Sequence, residues 1–238
     1  MVGSARIALV GDTTLLVEFG AVIDVEINRK VVALAEELRA ARIAGVSDIV
    51  PTFRSLLLHF DPDISAPEFI ENKVAECLGR YQGSVQASRR WTVPVCYDES
   101  LAPDLAWLAG EAGLSQADVA ERHAAAVYRV YMLGFLPCQA YLGEVDRALR
   151  FPRLQSPRAR IAAGSVGVAE AMTSVFPMET PCGWRILGRS PLALLDTSAA
   201  EFMRAGDAVA FLPVSLAEFN RWRGADLSRF NDMSELRA

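Results

Sequence analysis

The 238-residue chain has only two histidines, His59 and His123, two lysines, Lys30 and Lys73, and four cysteines. Each shortage excludes some chemistry. Cys77, Cys96, Cys138 and Cys182 stand far apart with no C-x-x-C pair, and two histidines cannot complete a zinc-site spacing, so no metal is expected from this chain. Reduced thiols are the default. Neither lysine stands in a Gly-x-x-x-x-Gly-Lys-Ser/Thr run, so the chain has no Walker-type phosphate loop. Apolar runs fall short of the roughly 20 residues that span a bilayer, and the opening MVGSARIALVGD lacks the parts of a secretion signal. A cytoplasmic protein with no membrane association is expected. Basic charge is almost all arginine, 22 residues against 29 acidic ones, for a net charge of −5. That balance argues against nucleic acid, which demands a clustered basic face.

What is present suits a well-filled core: 52% of residues are hydrophobic and 22% charged, over a length that holds one large domain or two small ones. The first third alternates strand and helix signals. RIALVGDTTLLVEFG reads as a hairpin broken at Gly11-Asp12. Ile27, Val31, Leu34, Leu38 and Ala41 then recur at helical spacing, with Gly45 as the stop. DIVPTFRSLLLHFDP reads as two strands interrupted at Pro51, followed by a helix from Pro67 to Arg80. This β-β-α-β-β-α order predicts a small α+β domain over residues 1–85: one antiparallel sheet with helices on one face.

Residues 81–90, YQGSVQASRR, are polar and aperiodic and read as a linker. Beyond them, RRWTVPVCYD reads as a strand and PDLAWLAGEAG as a short helix started by Pro103. LSQADVAERHAA reads as a helix with Ser115 and Asp118 in capping-box spacing. YRVYMLGF is an alternating strand. From there to Pro213, short β-runs (SVGVA, TSVFP, WRILG, LALLD, DAVAFLP) predict an all-β antiparallel barrel over residues 86–223, with a polar tail at 224–238.

Ala163-Gly164-Ser165-Val166-Gly167 is one glycine short of a nucleophile elbow. The triad histidine of that arrangement follows the serine, and this chain has none after His123. The stretch therefore reads as a tight turn in which Gly164 and Gly167 bring backbone close to an anion or to a neighbouring strand. Arg147, Arg150, Arg153, Arg158 and Arg160 fall within fourteen residues. Of the arginines, Arg158 and Arg189, each near a proline, are the candidates for carboxylate or phosphate contact. Phe135, Pro137 and Tyr141 surround a Gly-Phe-x-Pro loop that lines a pocket or plugs a barrel end. His123, next to Arg122 at a helix C-terminus, reads as a protonated cap ahead of a catalytic group. Cys138 and Cys182 lie in these loops and could approach one another.

Three longer stretches carry a resemblance: His123 to Gly143, Ser156 to Ala169, and Pro181 to Leu192. Together with GDTTLLVEFG and VPTFRSLLLHFDP, they are similar to the 5-oxoprolinase B-subunit family, also called KipI or allophanate hydrolase subunit 1. The resemblance implies a cyclophilin-like barrel in the second domain. It implies a non-autonomous subunit that works with a sister cyclophilin-like chain, of the KipA or 5-oxoprolinase C-subunit type, and with a third, amidohydrolase-type one. Such a complex opens 5-oxoproline to glutamate with ATP, which need not be bound by this chain. The family also implies two alternatives: inhibition of a sensor histidine kinase, and a urea carboxylase or allophanate hydrolase accessory role. Substrate or partner contact then falls to Phe135, Pro137, Tyr141, Arg158, Gly164, Ser165, Gly167, Trp184 and Arg189. Arg158, Ser165 and His123 are the weak catalytic candidates. The chain departs from the family pattern at Cys138, Gln139, Ala140, Ala162, Met172 and Cys182, all around the expected pocket.

Overall fold

The computed structural model describes residues 5–80, 89–195 and 202–226. The chain divides into two compact units, Met1–Ser88 and Arg89–Ala238. Most of the expected linker and of the polar tail lies outside the described residues.

In the first unit, strands β1 (Arg6–Leu9), β2 (Thr14–Glu18), β3 (Val46–Pro51) and β4 (Ser55–Phe60) form an antiparallel sheet of order β1-β2-β4-β3. The hairpin turns at Gly11, as its sequence predicts. Helix α1 (Val25–Ala41) starts where the Asp24 carboxylate accepts from the amides of Glu26 at 2.8 Å and Ile27 at 3.0 Å. Its apolar stripe buries Val31, Leu34, Ala35 and Leu38 but leaves Ala41 exposed. The helix stops earlier than expected, because Arg42 takes the left-handed conformation and its amide bonds back to Arg39. Helix α2 (Pro67–Arg80) keeps its predicted bounds. Leu15, Val17, Leu56, Leu58 and Phe60 pack against Val31, Leu38, Ile70 and Val74 in one core. Asn28, fully buried in α1, donates to the Thr52 and Phe53 carbonyls and so fixes the helix on the β3–β4 turn.

The second unit runs β5 (Arg90–Val95), α3 (Leu105–Ala112), α4 (Gln116–Ala125), β6 (Val127–Leu133) and β7 (Ala140–Gly143). It continues with β8 (Arg158–Ile161), β9 (Ser165–Ala169), β10 (Met172–Val175), β11 (Thr180–Cys182), β12 (Arg185–Arg189), β13 (Ala208–Pro213) and α5 (Leu216–Arg221). Seven strands form a sheet of order β12-β9-β10-β7-β6-β13-β5, and β11 pairs with β8 beside it. The sheet is a strongly curled half-barrel: Cys96, just past edge strand β5, and Arg189, the last residue of edge strand β12, exchange backbone hydrogen bonds of 2.9 Å. Gly188 permits that approach, since a Cβ there would lie 2.8 Å from Val95 Cγ1 and 3.0 Å from the Cys96 carbonyl. Trp91, Val93, Val130, Leu142, Val166, Val168, Leu187 and Phe211 fill the interior, with Leu108 of α3 and Val119 of α4.

Several expectations for this unit need correction. The sheet is not wholly antiparallel, because β13 runs parallel to β5 from Ala208↔Arg90 to Pro213↔Val95. The chain from Cys96 to Asp207 is the crossover that parallel pairing requires. Leu192–Leu195 form no strand; Leu192 and Leu194 pack into the core without joining a ladder. Pro103 precedes the N-cap Asp104 rather than opening the helix. The β6 alternation breaks at a register shift between Val130 and Met132, which leaves Tyr131 buried beside Val130. The Ser115/Asp118 capping box forms as predicted.

Candidate functional site

His123 lies in the interior, not at an open helix end. Its ring is fully buried and stacks on Phe211 with centroids 4.7 Å apart. Nδ1 lies 2.8 Å from the Tyr97 hydroxyl and Nε2 lies 2.9 Å from the Thr173 hydroxyl. Thr173 gives its proton to the Gly167 carbonyl at 3.0 Å, so its oxygen accepts from His123 and Nε2 carries the hydrogen. Nδ1 is then left to accept from Tyr97. Burial pushes the imidazole pKa down to about 3, so it is neutral at physiological pH. The protonated-cap reading is thereby corrected. Both nitrogens are engaged, and burial pushes the Tyr97 hydroxyl well above its ordinary range. The chain from Tyr97 through His123 and Thr173 to Gly167 joins the segment after β5 to α4, β10 and β9 as a brace.

The Gly164–Gly167 stretch is a place where backbones meet closely. Gly164, at φ +82°, sits so close to the next segment that a Cβ would fall 2.3 Å from the Ser190 carbonyl. Its amide donates to the Phe176 carbonyl and its own carbonyl accepts from the Ser190 amide. Gly167 lies under the Trp184 Cβ and the Ile186 Cδ1. Ser165 is buried and pairs across the ladder with Arg189. Both glycines thus lie against neighbouring backbone segments, Gly164 against Ser190 just past β12 and Gly167 against Trp184 and Ile186.

The two favoured arginines have different surroundings. Arg158 pairs with the buried Asp104 carboxylate at 2.6 Å. The other Asp104 oxygen accepts from the Ile186 amide at 2.6 Å, while the Asp104 amide donates to the Ile186 carbonyl. Arg158 therefore completes a tie between α3 and the β12 edge. Arg189 donates from Nε to the Ala163 carbonyl at 2.8 Å, and burial, then the Arg223 charge, lower its pKa.

Tyr141, Phe176 and Trp184 form one aromatic cluster. Trp184 is buried, and the Tyr141 and Phe176 rings each meet it edge-on with centroids 5.8 Å apart. The register Tyr141↔Ser174↔Gly167 runs across three strands, and Trp184 closes over the glycine end. Arg153, one of five arginines in its run and not singled out by the sequence, holds its guanidinium 5.9 Å from the Trp184 ring centre and makes no ion pair among the described residues. Burial raises the Tyr141 pKa, with the Arg153 charge opposing. Phe135 and Pro137 sit on the turn that joins β6 to β7, where Phe135 is 71% exposed at φ +70°. An exposed phenylalanine in that conformation is a signal visible only in the folded chain.

Cys138 and Cys182 are not joined in a disulfide. The Cys182 sulfur accepts from the Trp184 amide, and burial raises its pKa. Gln139, also without a role in the sequence reading, is fully buried: its Nε2 donates to Ser174 Oγ at 3.1 Å and its Oε1 has no donor among the described residues. A separate groove of about 700 Å³ is lined by Cys96, Tyr97, Ala120, Ala124, Pro213 and Leu216. None of the sequence-selected residues lines it. No described helix is long and apolar enough to cross a membrane, and no group of three or more His, Cys, Asp or Glu among the described residues is placed to hold a metal.

This half-barrel, with its outer aromatic cluster and buried histidine brace, defines a β-rich scaffold whose polar groups are mostly engaged internally. Residues 5–204 match the family model "Carboxyltransferase domain, subdomain C and D". The chain is 34% identical to the 5-oxoprolinase B subunit of Bacillus subtilis over 231 residues, 92% of this chain and 96% of that one. It is 33% identical to the 5-oxoprolinase B subunit of Escherichia coli O157:H7 over 215 residues, 88% and 96% respectively. The crystal structure of TTHA0988 superposes with a TM-score of 0.76 at 36% identity; it covers 85% of this chain, which spans only 40% of that longer one. The chain belongs to the carboxyltransferase-domain family that includes the 5-oxoprolinase B subunits.

Proposed function

We propose that this chain is the B-type subunit of an ATP-dependent 5-oxoprolinase and is inactive alone. The observation that carries the reading is its end-to-end similarity to two proteins of that name, each matched over 96% of its length. The half-barrel corresponds, on this reading, to the cyclophilin-like barrel of the family. On this reading ATP phosphorylates the lactam carbonyl oxygen with release of ADP, and water adds to the activated carbon. The ring C–N bond then breaks as the nitrogen takes a proton to leave γ-glutamyl phosphate, and a second water hydrolyses that acyl phosphate to glutamate and phosphate. This chain contributes binding and charge stabilisation rather than a nucleophile. His123 has both nitrogens engaged, and burial holds the Cys182 thiol protonated. ATP is held elsewhere in the complex, by the sister cyclophilin-like chain or the third, amidohydrolase-type one.

The test is reconstitution with the companion subunits of the same source. ATP hydrolysis should depend on 5-oxoproline and disappear when this chain is left out. Equal ATP consumption with and without 5-oxoproline sinks the reading.

A further inference from the structure

Two groups at the aromatic cluster lack partners that their chemistry calls for. The first is the Gln139 amide. Ser174 donates its single hydroxyl proton to the Ala140 carbonyl at 2.8 Å. Its oxygen must therefore accept from Gln139, which fixes the nitrogen toward Ser174 and leaves Oε1 as the acceptor without a donor among the described residues. A fully buried carbonyl oxygen in that state is costly. The second is Arg153, an exposed cation without an ion pair among the described residues, held over Trp184. Gln139, the residue before β7, and Tyr141 within it alternate to the same side, and Ser174 and Gly167 continue the Tyr141 row beneath Trp184. The acceptor and the aromatic rings thus share one face of the sheet, buried there, with the exposed cation at the Trp184 ring.

We infer that this surface is a subsite for a small molecule that carries a carboxylate and an N–H on a compact apolar body. The carboxylate pairs with Arg153, the body lies against Trp184 and Tyr141, and the N–H donates to Gln139 Oε1. Gln139 is fully buried and directly follows the Gly134–Cys138 turn, and in this inference the N–H reaches it when that turn draws back. Two backbone bonds hold the turn: Gly134 amide to Gln139 carbonyl at 3.1 Å, and Gln139 amide to Leu136 carbonyl at 3.2 Å. A carboxylated lactam has this arrangement of groups. The choice of 5-oxoproline as probe rests on the proposed function.

The experiment is calorimetric titration of the full chain, and of the reconstituted complex, with three probes. 5-Oxoproline has both groups, 2-pyrrolidinone lacks the carboxylate and cyclopentanecarboxylate lacks the N–H. The wild type should bind 5-oxoproline best, with either omission costing about 10- to 100-fold in affinity. Arg153→Ala should lose that factor for 5-oxoproline and leave 2-pyrrolidinone unchanged. Gln139→Met should weaken both N–H ligands and spare cyclopentanecarboxylate; if it fails to fold, the wild-type probe series tests the same contact. Unchanged 5-oxoproline binding in Arg153→Ala, equal binding of all three probes, or no binding by either chain or complex overturns the subsite. A complex with 5-oxoproline-dependent ATP hydrolysis and an unchanged KM in Arg153→Ala removes the subsite but keeps the proposed function. A chain that discriminates the probes, in a complex without such hydrolysis, does the reverse.

Discussion

Acidification should weaken the second unit through His123, and the size of the effect follows from its burial. Unfolded, the imidazole titrates near 6.5; folded, its pKa is about 3. A group whose folded pKa is depressed takes up protons in the unfolded state first, so stability falls as pH drops below 6.5 and levels off below about 3. Between pH 7 and pH 4 the unfolded state gains nearly a full proton that the folded state refuses. Integrated over that window at 1.36 kcal/mol per unit, the loss is about 3 kcal/mol. Other carboxylates contribute to acid unfolding, so the measurement is a difference. Urea unfolding of the wild type and of His123→Gln should be followed at pH 7, 5.5 and 4. Glutamine keeps one donor and one acceptor in the brace but does not titrate. It should be less stable at pH 7, with the gap closing by about 3 kcal/mol toward pH 4. Equal losses in the two proteins, or a His123 imidazole titrating near its ordinary value by NMR, would refute the buried, neutral brace.

Arg158→Ala should lower the stability of the isolated chain by about 2 kcal/mol, because it strips the ion pair from a buried carboxylate; a melting temperature equal to wild type would return Arg158 to the candidate contact residues. Asp207→Ala should cost more, about 3–5 kcal/mol, since that buried carboxylate accepts from Arg89, from Trp91 Nε1 at 2.8 Å and from the Arg204 amide at 2.9 Å. Chemical denaturation of the variant measures it, and a loss under about 1 kcal/mol would be inconsistent with the network. Gly188→Ala should destabilise by about 1–3 kcal/mol because its methyl meets Val95 and the Cys96 carbonyl. Faster amide exchange at Cys96 and Arg189 is the expected signature, and wild-type protection there would contradict it.

What can be read from the sequence is what local pattern controls. The α2 boundaries, the Gly11 hairpin and the Ser115/Asp118 box each depend on residues within a few positions of one another, and all three are present. What cannot be read depends on distant partners. Parallel pairing of β13 with β5 joins segments at opposite ends of the unit. LALL looks like a strand by composition, yet Leu192 and Leu194 find core contacts with no ladder to enter. Arg158 looks free in the sequence because its partner Asp104 lies 54 residues away. His123 looks like a cap because its helix end is visible there, while Phe211 and Thr173 are not.

The same separation explains the candidate site. Flanking proline is a reason to favour Arg158 and Arg189, but rigidity of the backbone says nothing about whether a guanidinium is already paired. Arg153 sits in the same arginine-rich run, with nothing in its neighbourhood to distinguish it from Arg150, which pairs with Glu144 at 2.7 Å. Only the return of the chain at Gly183, whose carbonyl accepts from the Leu154 amide at 2.7 Å, carries Arg153 onto the Trp184 ring. Gln139 is a similar case: a polar residue after Pro137-Cys138 reads as loop surface, yet strand alternation from Tyr141 turns it beneath the cluster. The buried histidine brace, the Asp104–Arg158 tie and the Asp207 network already satisfy most of the unit's polar interior. The two groups at the aromatic cluster without such partners among the described residues, Arg153 and the Gln139 carbonyl, suit holding a ligand rather than breaking a bond. On the proposed function, the reactive groups come from another chain of the complex.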